Sequence, residues 1–421
     1  MRTFLAILLV AVLALLASSS TGFRLRRSRW TVALFGGGWV AIGVGAAIGP
    51  QGLGAVTLQT IQSATPLVVL GLGWIGLMIG LQAQRTVLTS LPPSVVRVCG
   101  VDAALTLGVF GLAGWIGLRS WLGADGGALW TMTALLACAS LGWTMETRSL
   151  SSGDAGDTRE RALIVRGSGG LAAILTIAVF GVVYSFAHPA PGTELSALSL
   201  GSSRLVIGAA LGLAAGLIGR YALREAAGSR GAQLTVVLGL VAIVGGLAFE
   251  MDLSSLFVAG ATGAVMTNLA GNELRSFERV ILKAEHAVAA VFAMLAGALL
   301  DPAIGWGGLG LAALLAGLRL IVKPFALRAG GVRREGAGAL SWAVVRQSPL
   351  AVALGVSVVV SVGDAAPAKL LTVIVLAGVL AELTPLAAAW ALRGAPMETP
   401  VEPKAAAEGA PESASEQGGA S

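Results

Sequence analysis

Residues 341–355 read SWAVVRQSPLAVALG, an apolar stretch interrupted at its centre by Arg346, Gln347, Ser348 and Pro349. The chain on both sides is Ala, Val, Leu and Gly, so 341–362 has the length and character of one membrane-crossing helix. A cation, an amide and a proline in its middle predict a helix that breaks there, because proline removes a backbone donor and clashes with the preceding turn. Lipid tolerates a break only where the freed backbone groups find partners in protein or water. A second interruption, ACASLGWT at 137–144, puts small and hydroxyl residues in the middle of the apolar run 126–148.

Working outward from these two segments, the chain divides into thirteen apolar runs: 3–19, 30–50, 64–82, 98–122, 126–148, 162–188, 203–223, 232–249, 252–270, 284–302, 305–327, 341–362 and 369–392. The interrupted runs are the fifth and the twelfth. They are an odd number of crossings apart, so runs 2–6 and 9–13, taken as repeats, have opposite orientation in the membrane. The expected fold is an all-α polytopic membrane protein of about 13 transmembrane helices, with inverted repeats and two broken, crossing helices. Composition agrees: 56% hydrophobic residues, 12% charged residues and a mean hydropathy of +0.84 exclude a water-soluble globule.

Charge sets the expected orientation. Only Arg2 precedes the first run, whereas Arg24, Arg26, Arg27 and Arg29 follow it, the reverse of a cleaved secretory signal. The small residues of LLASSS keep cleavage open as an alternative, but a retained first span fits the charges better. With the N-terminus outside, 23 of the 28 Lys and Arg residues fall on the inner side, a count that includes Arg166, Arg319 and Lys323 near span ends. This predicts a multi-pass protein of a bacterial-type inner membrane, N-terminus outside and C-terminus cytoplasmic. Residues 1–29 are then a first transmembrane helix with a basic cytoplasmic segment, 30–393 the main transmembrane domain, and 394–421, rich in Pro, Ala, Glu and Ser, a disordered cytoplasmic tail.

Several function classes fall away. The net charge of +6 is spread between apolar runs and forms no basic stripe with interleaved aromatics, so no nucleic-acid partner is expected. Cys99 and Cys138 with two histidines make neither a disulfide framework nor a metal cluster, and no cofactor is expected. Gly71, Gly73 and Gly76 satisfy a dinucleotide-binding spacing but lie mid-span without a strand before them, and Gly208, Gly212, Gly216 and Gly219 line one face of run 7. Both sets read as helix packing. No nucleophile, metal cluster or acid pair lies at usable spacing for an enzyme.

The order of segments resembles the monovalent cation:proton antiporter superfamily, which includes Kef-type proteins and sodium/proton exchangers. MDLSSLFVAGATGAVMTNL at 251–269 resembles its Gly-Ala-Phe-x-Ala-Gly helix, and VFAMLAGALLD at 291–301 its Phe-Phe-x-x-x-Gly helix, with Phe292 and Gly297 in register. GLRLIVKPF at 317–325 resembles a segment with Arg and Lys four apart, here Arg319 and Lys323. SWAVVRQSPLAVALG resembles the broken helix with the Arg-Gly or Pro-Gln signature, and GLMIGLQAQRTVL at 76–88 the Gly-Leu-Glu helix, with Gln82 where many members have Glu. The resemblance covers roughly 30–392. It implies secondary active transport, Na⁺ or K⁺ against a proton, by alternating access, with spans 4–6 and 11–13 as the moving core. The implied partners are the cation, the proton and the lipid bilayer, and a homodimer is one assembly the family allows.

One departure is central. The family's acid pair belongs in the helix that here reads RALIVRGSGGLAAILTIAV at 161–179, and the matching positions are Gly169 and Gly170. The remaining candidates for ion or proton binding are Ser140, a relic of the polar pair in span 5, together with Ser168, Glu382 and Glu285. Arg319, Lys323 and Arg346 are the core basic residues, whose only expected counter-charges are Glu382 and the negative ends of broken helices. Glu382 equally fits a structural pair with Arg346 or Arg319, Glu285 an interfacial group beside His286, and Asp102 a partner for Arg97 or Arg85. Two further functions stay open: a degenerate, non-transporting sensor or scaffold, and a transporter of an anion or polar solute using Arg319 and Arg346.

Overall fold

The computed structural model describes residues 38–54, 56, 60, 63–143, 155–187, 194–226, 229–269, 287–331, 344–362 and 365–391. The first run, the basic segment after it, Glu285 and the tail 394–421 lie outside the described residues. Packing divides the chain into Met1–Leu383 and Thr384–Ser421, and the helix contacts and the candidate site belong to the first of these units.

The described chain is helical: α1 (Trp39–Ile48), α2 (Thr65–Leu81), α3 (Arg85–Ser90), α4 (Pro93–Leu122), α5 (Gly126–Leu141), α6 (Ala155–Ala187), α7 (Glu194–Glu225), α8 (Arg230–Glu250), α9 (Ser255–Leu269), α10 (Ala287–Ala298), α11 (Gly305–Ala329), α12 (Pro349–Val362) and α13 (Ala365–Ala391). Apart from the short α3, each falls on one of the expected apolar runs 2–13. Six contain a segment long and apolar enough to cross a membrane, and the shorter apolar helices include α5 and α12, where interruption was expected.

The 30-residue helix α4 begins at Pro93, where a missing N–H costs nothing, and stops at Gly123, whose φ of 60° few other residues adopt. It therefore starts before the apolar run at 98. Asp102 consequently lies about 13 Å inside the helix, not one turn in.

Glycine sets how close the helices come. Gly76 and Gly80 of α2 lie directly against the backbone of Leu256 and Gly260 on α9, and Gly263 answers against Leu77. On the other face of α9, Gly212 and Gly216 of α7 meet the carbonyls of Val258 and Thr262. Both glycine patterns in the sequence thus serve helix contact, and α9 is clamped between α2 and α7. Trp74, Leu77, Val241, Val258 and Met266 fill the apolar core of this group. A second, larger core joins α4, α5, α6 and α10–α13 through Phe110, Leu136, Phe180, Phe292, Leu311, Leu354 and Leu371.

Candidate functional site

The two interrupted helices meet. α5 ends at Leu141, and the chain continues extended through Gly142 (φ −75°, ψ 152°) to Trp143. In the twelfth run a helical segment ends at Val345, Arg346–Ser348 are non-helical, and α12 begins at Pro349. Trp143 and Gln347 pair as an antiparallel bridge, so the two breaks cross at this point. Pro349 sits at the start of α12, and the Ser348 hydroxyl, 3.2 Å away, accepts from the N–H of Leu350.

Two helices end here with carbonyls that have no partner in their own backbone, a locally negative site. α11 supplies the cation. Its buried face runs Leu311, Ala312, Leu315, Ala316, Arg319, Val322, Lys323, Ala326 and Leu327, a continuous helical stripe that carries two charges among apolar residues. Arg319 donates from Nε to Val345 O (2.6 Å), from Nη1 to Ser140 O (2.7 Å), and from Nη2 to Gly142 O (2.7 Å) and Arg346 O (3.2 Å). One planar guanidinium thus closes both helix ends at once, which its fork of five donors allows.

One turn further along α11, Lys323 Nζ donates to Asp102 Oδ2 (2.7 Å), Thr106 Oγ1 (3.1 Å) and Leu141 O (2.8 Å), and it stands 4.9 Å from the centre of the Trp143 ring. The partners come from the buried stripe of α4, on which Asp102, Thr106 and Phe110 follow each other at helical spacing. Both charged side chains are almost fully buried, 0% and 2% exposed. The expectation that Asp102 answers Arg97 or Arg85 is corrected: its depth in α4 puts it opposite Lys323. Lys323 accordingly has a carboxylate partner, which the sequence reading did not assign to it.

A third charged group flanks the crossing. Glu382 of α13 accepts from the indole N–H of Trp39 at the start of α1, and its other oxygen lies 3.7 Å from Arg346 Nε. Glu382 is buried, and Gly378 one turn earlier leaves the room that the Gln347 side chain fills. The pairing with Arg346 is one of those that the sequence context of Glu382 allowed.

The other expected positions are near but play different parts. Ser140 contributes its carbonyl to Arg319, while its hydroxyl donates back to Leu136 O at 2.9 Å. Ser168 is fully buried in α6, its hydroxyl turned to Ile164 O. On the same face of α6, Ala172 packs with Trp143 and Val344, and the Thr176 hydroxyl lies beside Gly142. Gly169 and Gly170 precede these in α6, Gly169 buried and Gly170 half-buried. Among the described residues no three His, Cys, Asp or Glu side chains come together as a metal site.

No family model matches the sequence, and no curated protein matches it. The structure matches that of the sodium proton antiporter MjNhaP1 from Methanocaldococcus jannaschii at pH 8, with a TM-score of 0.64 and 14% identity over 93% of this chain and 100% of that one. The fold is NhaP-like. At 14% identity the likeness is one of fold, and it takes in nearly the whole chain, the crossing included.

The sequence offers Asp102 as an acid in the fourth run but assigns it Arg97 or Arg85, whereas the structure gives it Lys323. Its signal was present as an acid inside an apolar helix, which is a functional candidate by default. What hid its partner was the helix start at Pro93, five residues before the apolar run.

Proposed function

We propose that the protein is a secondary transporter that exchanges Na⁺ or K⁺ for a proton by alternating access at the crossing of α5 and the α12 break. The observation that carries this is the buried Asp102–Lys323 pair. Asp102 stands in for the acid missing at Gly169 and Gly170. When Lys323 swings away, Asp102 Oδ2, Thr106 Oγ1 and Leu141 O, now sharing one ammonium, become three oxygens facing one point. Oxygen donors of this kind suit a hard cation. A proton on Asp102 would release the cation, so competition for one carboxylate couples the two fluxes. Arg319 keeps the two helix ends closed throughout, and Glu382 with Arg346 steadies the far side of the break.

A second reading has its own observation. Arg319 already takes up four carbonyls at the crossing, and among the described residues α6 brings no carboxylate there, which fits a non-transporting sensor or scaffold of the same fold. Proteoliposomes with a pH-sensitive dye inside separate the two. Transport predicts proton movement on imposing a Na⁺ or K⁺ gradient, abolished by Asp102→Asn and reduced by Glu382→Gln or Arg346→Ala. A folded protein that moves no protons with either cation between pH 6 and 9, and gains no thermal stability from them, would falsify the antiport reading and leave the scaffold.

A further inference from the structure

Away from the crossing, α4, α5 and α6 enclose a groove of about 570 Å³ whose wall is almost wholly apolar. Its width comes from Gly108 and Gly111 of α4, where an added Cβ would touch nothing. Trp115 and Trp130 frame one end, their ring centres 6.2 Å apart, and Cys138 lies at the other. Within it the Thr133 hydroxyl is buried, with the residue 5% exposed, and makes no hydrogen bond. A helical threonine ordinarily turns its hydroxyl back to the carbonyl four residues earlier, as Thr176 and Thr262 do here. Thr133 does not, so beside an apolar groove a buried donor stays unsatisfied, a costly arrangement unless something else accepts from it.

The mouth supplies the rest of the pattern. Arg119, one turn beyond Trp115, lies 5.8 Å from the Trp115 ring and 3.7 Å from Asp125, with both charged side chains well exposed. Thr133 packs level with Gly114, five residues before Arg119 on α4, so its level lies about 7 Å deeper along the helix than the Arg119 backbone. An exposed cation, a tryptophan pair, a buried hydroxyl and then an apolar channel follow the order of a phosphoglycerolipid: phosphate, interfacial glycerol, ester carbonyl, acyl chain. We propose that this groove is a binding site for one phosphoglycerolipid. Arg119 holds its phosphate, Thr133 donates to an ester carbonyl, and the chain runs past Gly111 and Gly108 to Cys138. The site is independent of the crossing, but its floor ends three residues before Leu141, so the bound chain braces the stretch of α5 that carries the Lys323 contact.

The test is native mass spectrometry of the full chain, purified in mild detergent and supplied with dioleoyl phosphatidylglycerol. One retained phospholipid per chain is expected. Gly111→Leu fills the groove and is expected to abolish retention. Thr133→Val keeps the shape while removing one hydrogen bond, and retention is expected to fall about three- to tenfold. Gly239→Leu makes the same change at an equally open glycine on α8 and should leave retention as in the wild type. No retained lipid in the wild-type chain, equal retention after Thr133→Val, or an equal loss after Gly239→Leu each overturns the site. Because Thr133→Val adds no bulk, it decides the matter even if Gly111→Leu does not fold.

Discussion

At the scale of single residues, the arrangement turns on two cations that differ in what they can hold. Arg319 spreads four hydrogen bonds across carbonyls from two segments, which a point charge cannot copy. Arg319→Lys is therefore expected to leave at least one carbonyl without a donor, at about 1–3 kcal/mol, seen as a lower midpoint in denaturant unfolding in detergent. Lys323 and Asp102 depend on each other. Lys323→Met should destabilise by about 3–5 kcal/mol by stranding a buried carboxylate, and adding Asp102→Leu should restore most of that loss while leaving no ion-driven proton movement. Simple additivity of the two substitutions would show that the pair is not coupled. The Arg-and-Lys spacing was legible in the sequence because it lies on one helix face. The carboxylate that answers Lys323 is 221 residues away, and no periodicity within a span reports a partner on another helix.

At the scale of elements, the sequence reported interruption well and boundaries poorly. Polar residues and a proline inside an apolar run have few explanations in lipid, so both breaks were readable, and so were the glycine faces of α2 and α7. Helix starts were less visible, since Pro93 and Ser94 carry no apolar signal yet belong to α4. Glycine contacts also give the cleanest element-level prediction. Gly80→Leu would drive a side chain into the backbone of Gly260 and is expected to separate α2 from α9, with loss of the monodisperse peak in size-exclusion chromatography. Gly43→Ala on α1, which meets nothing, should instead be neutral or stabilising by up to about 1 kcal/mol through helix propensity. Comparable behaviour of the two variants would mean that close backbone approach does not hold α2 and α9 together.

At the scale of the molecule, the NhaP-like architecture was legible because the order of apolar runs and the odd spacing between the two breaks leave few arrangements open. How the parts are tied was not. α1 packs closely on α10 through Gly45 and Gly297, and its Trp39 reaches Glu382 on α13, beside Arg346 of the break. In the proposed exchange the helices of the crossing would move against the rest, and this bond would then span the moving boundary. Trp39→Phe removes one donor to a carboxylate and should shift the balance of the two access states about tenfold or more. Maleimide labelling of Gln347→Cys, in a background with Cys99→Ser and Cys138→Ser, reads that balance from either side of the membrane. An unchanged labelling ratio would remove Trp39 from the boundary. The guanidinium at the crossing has one more consequence. It is a permanently tethered competitor: a free cation approaching those four carbonyls meets a charge already present at a high effective concentration and unable to diffuse away. The crossing's own carbonyls are therefore closed to a free cation for as long as Arg319 holds them, and the oxygens shared by Lys323 are the ones left for an ion to contest.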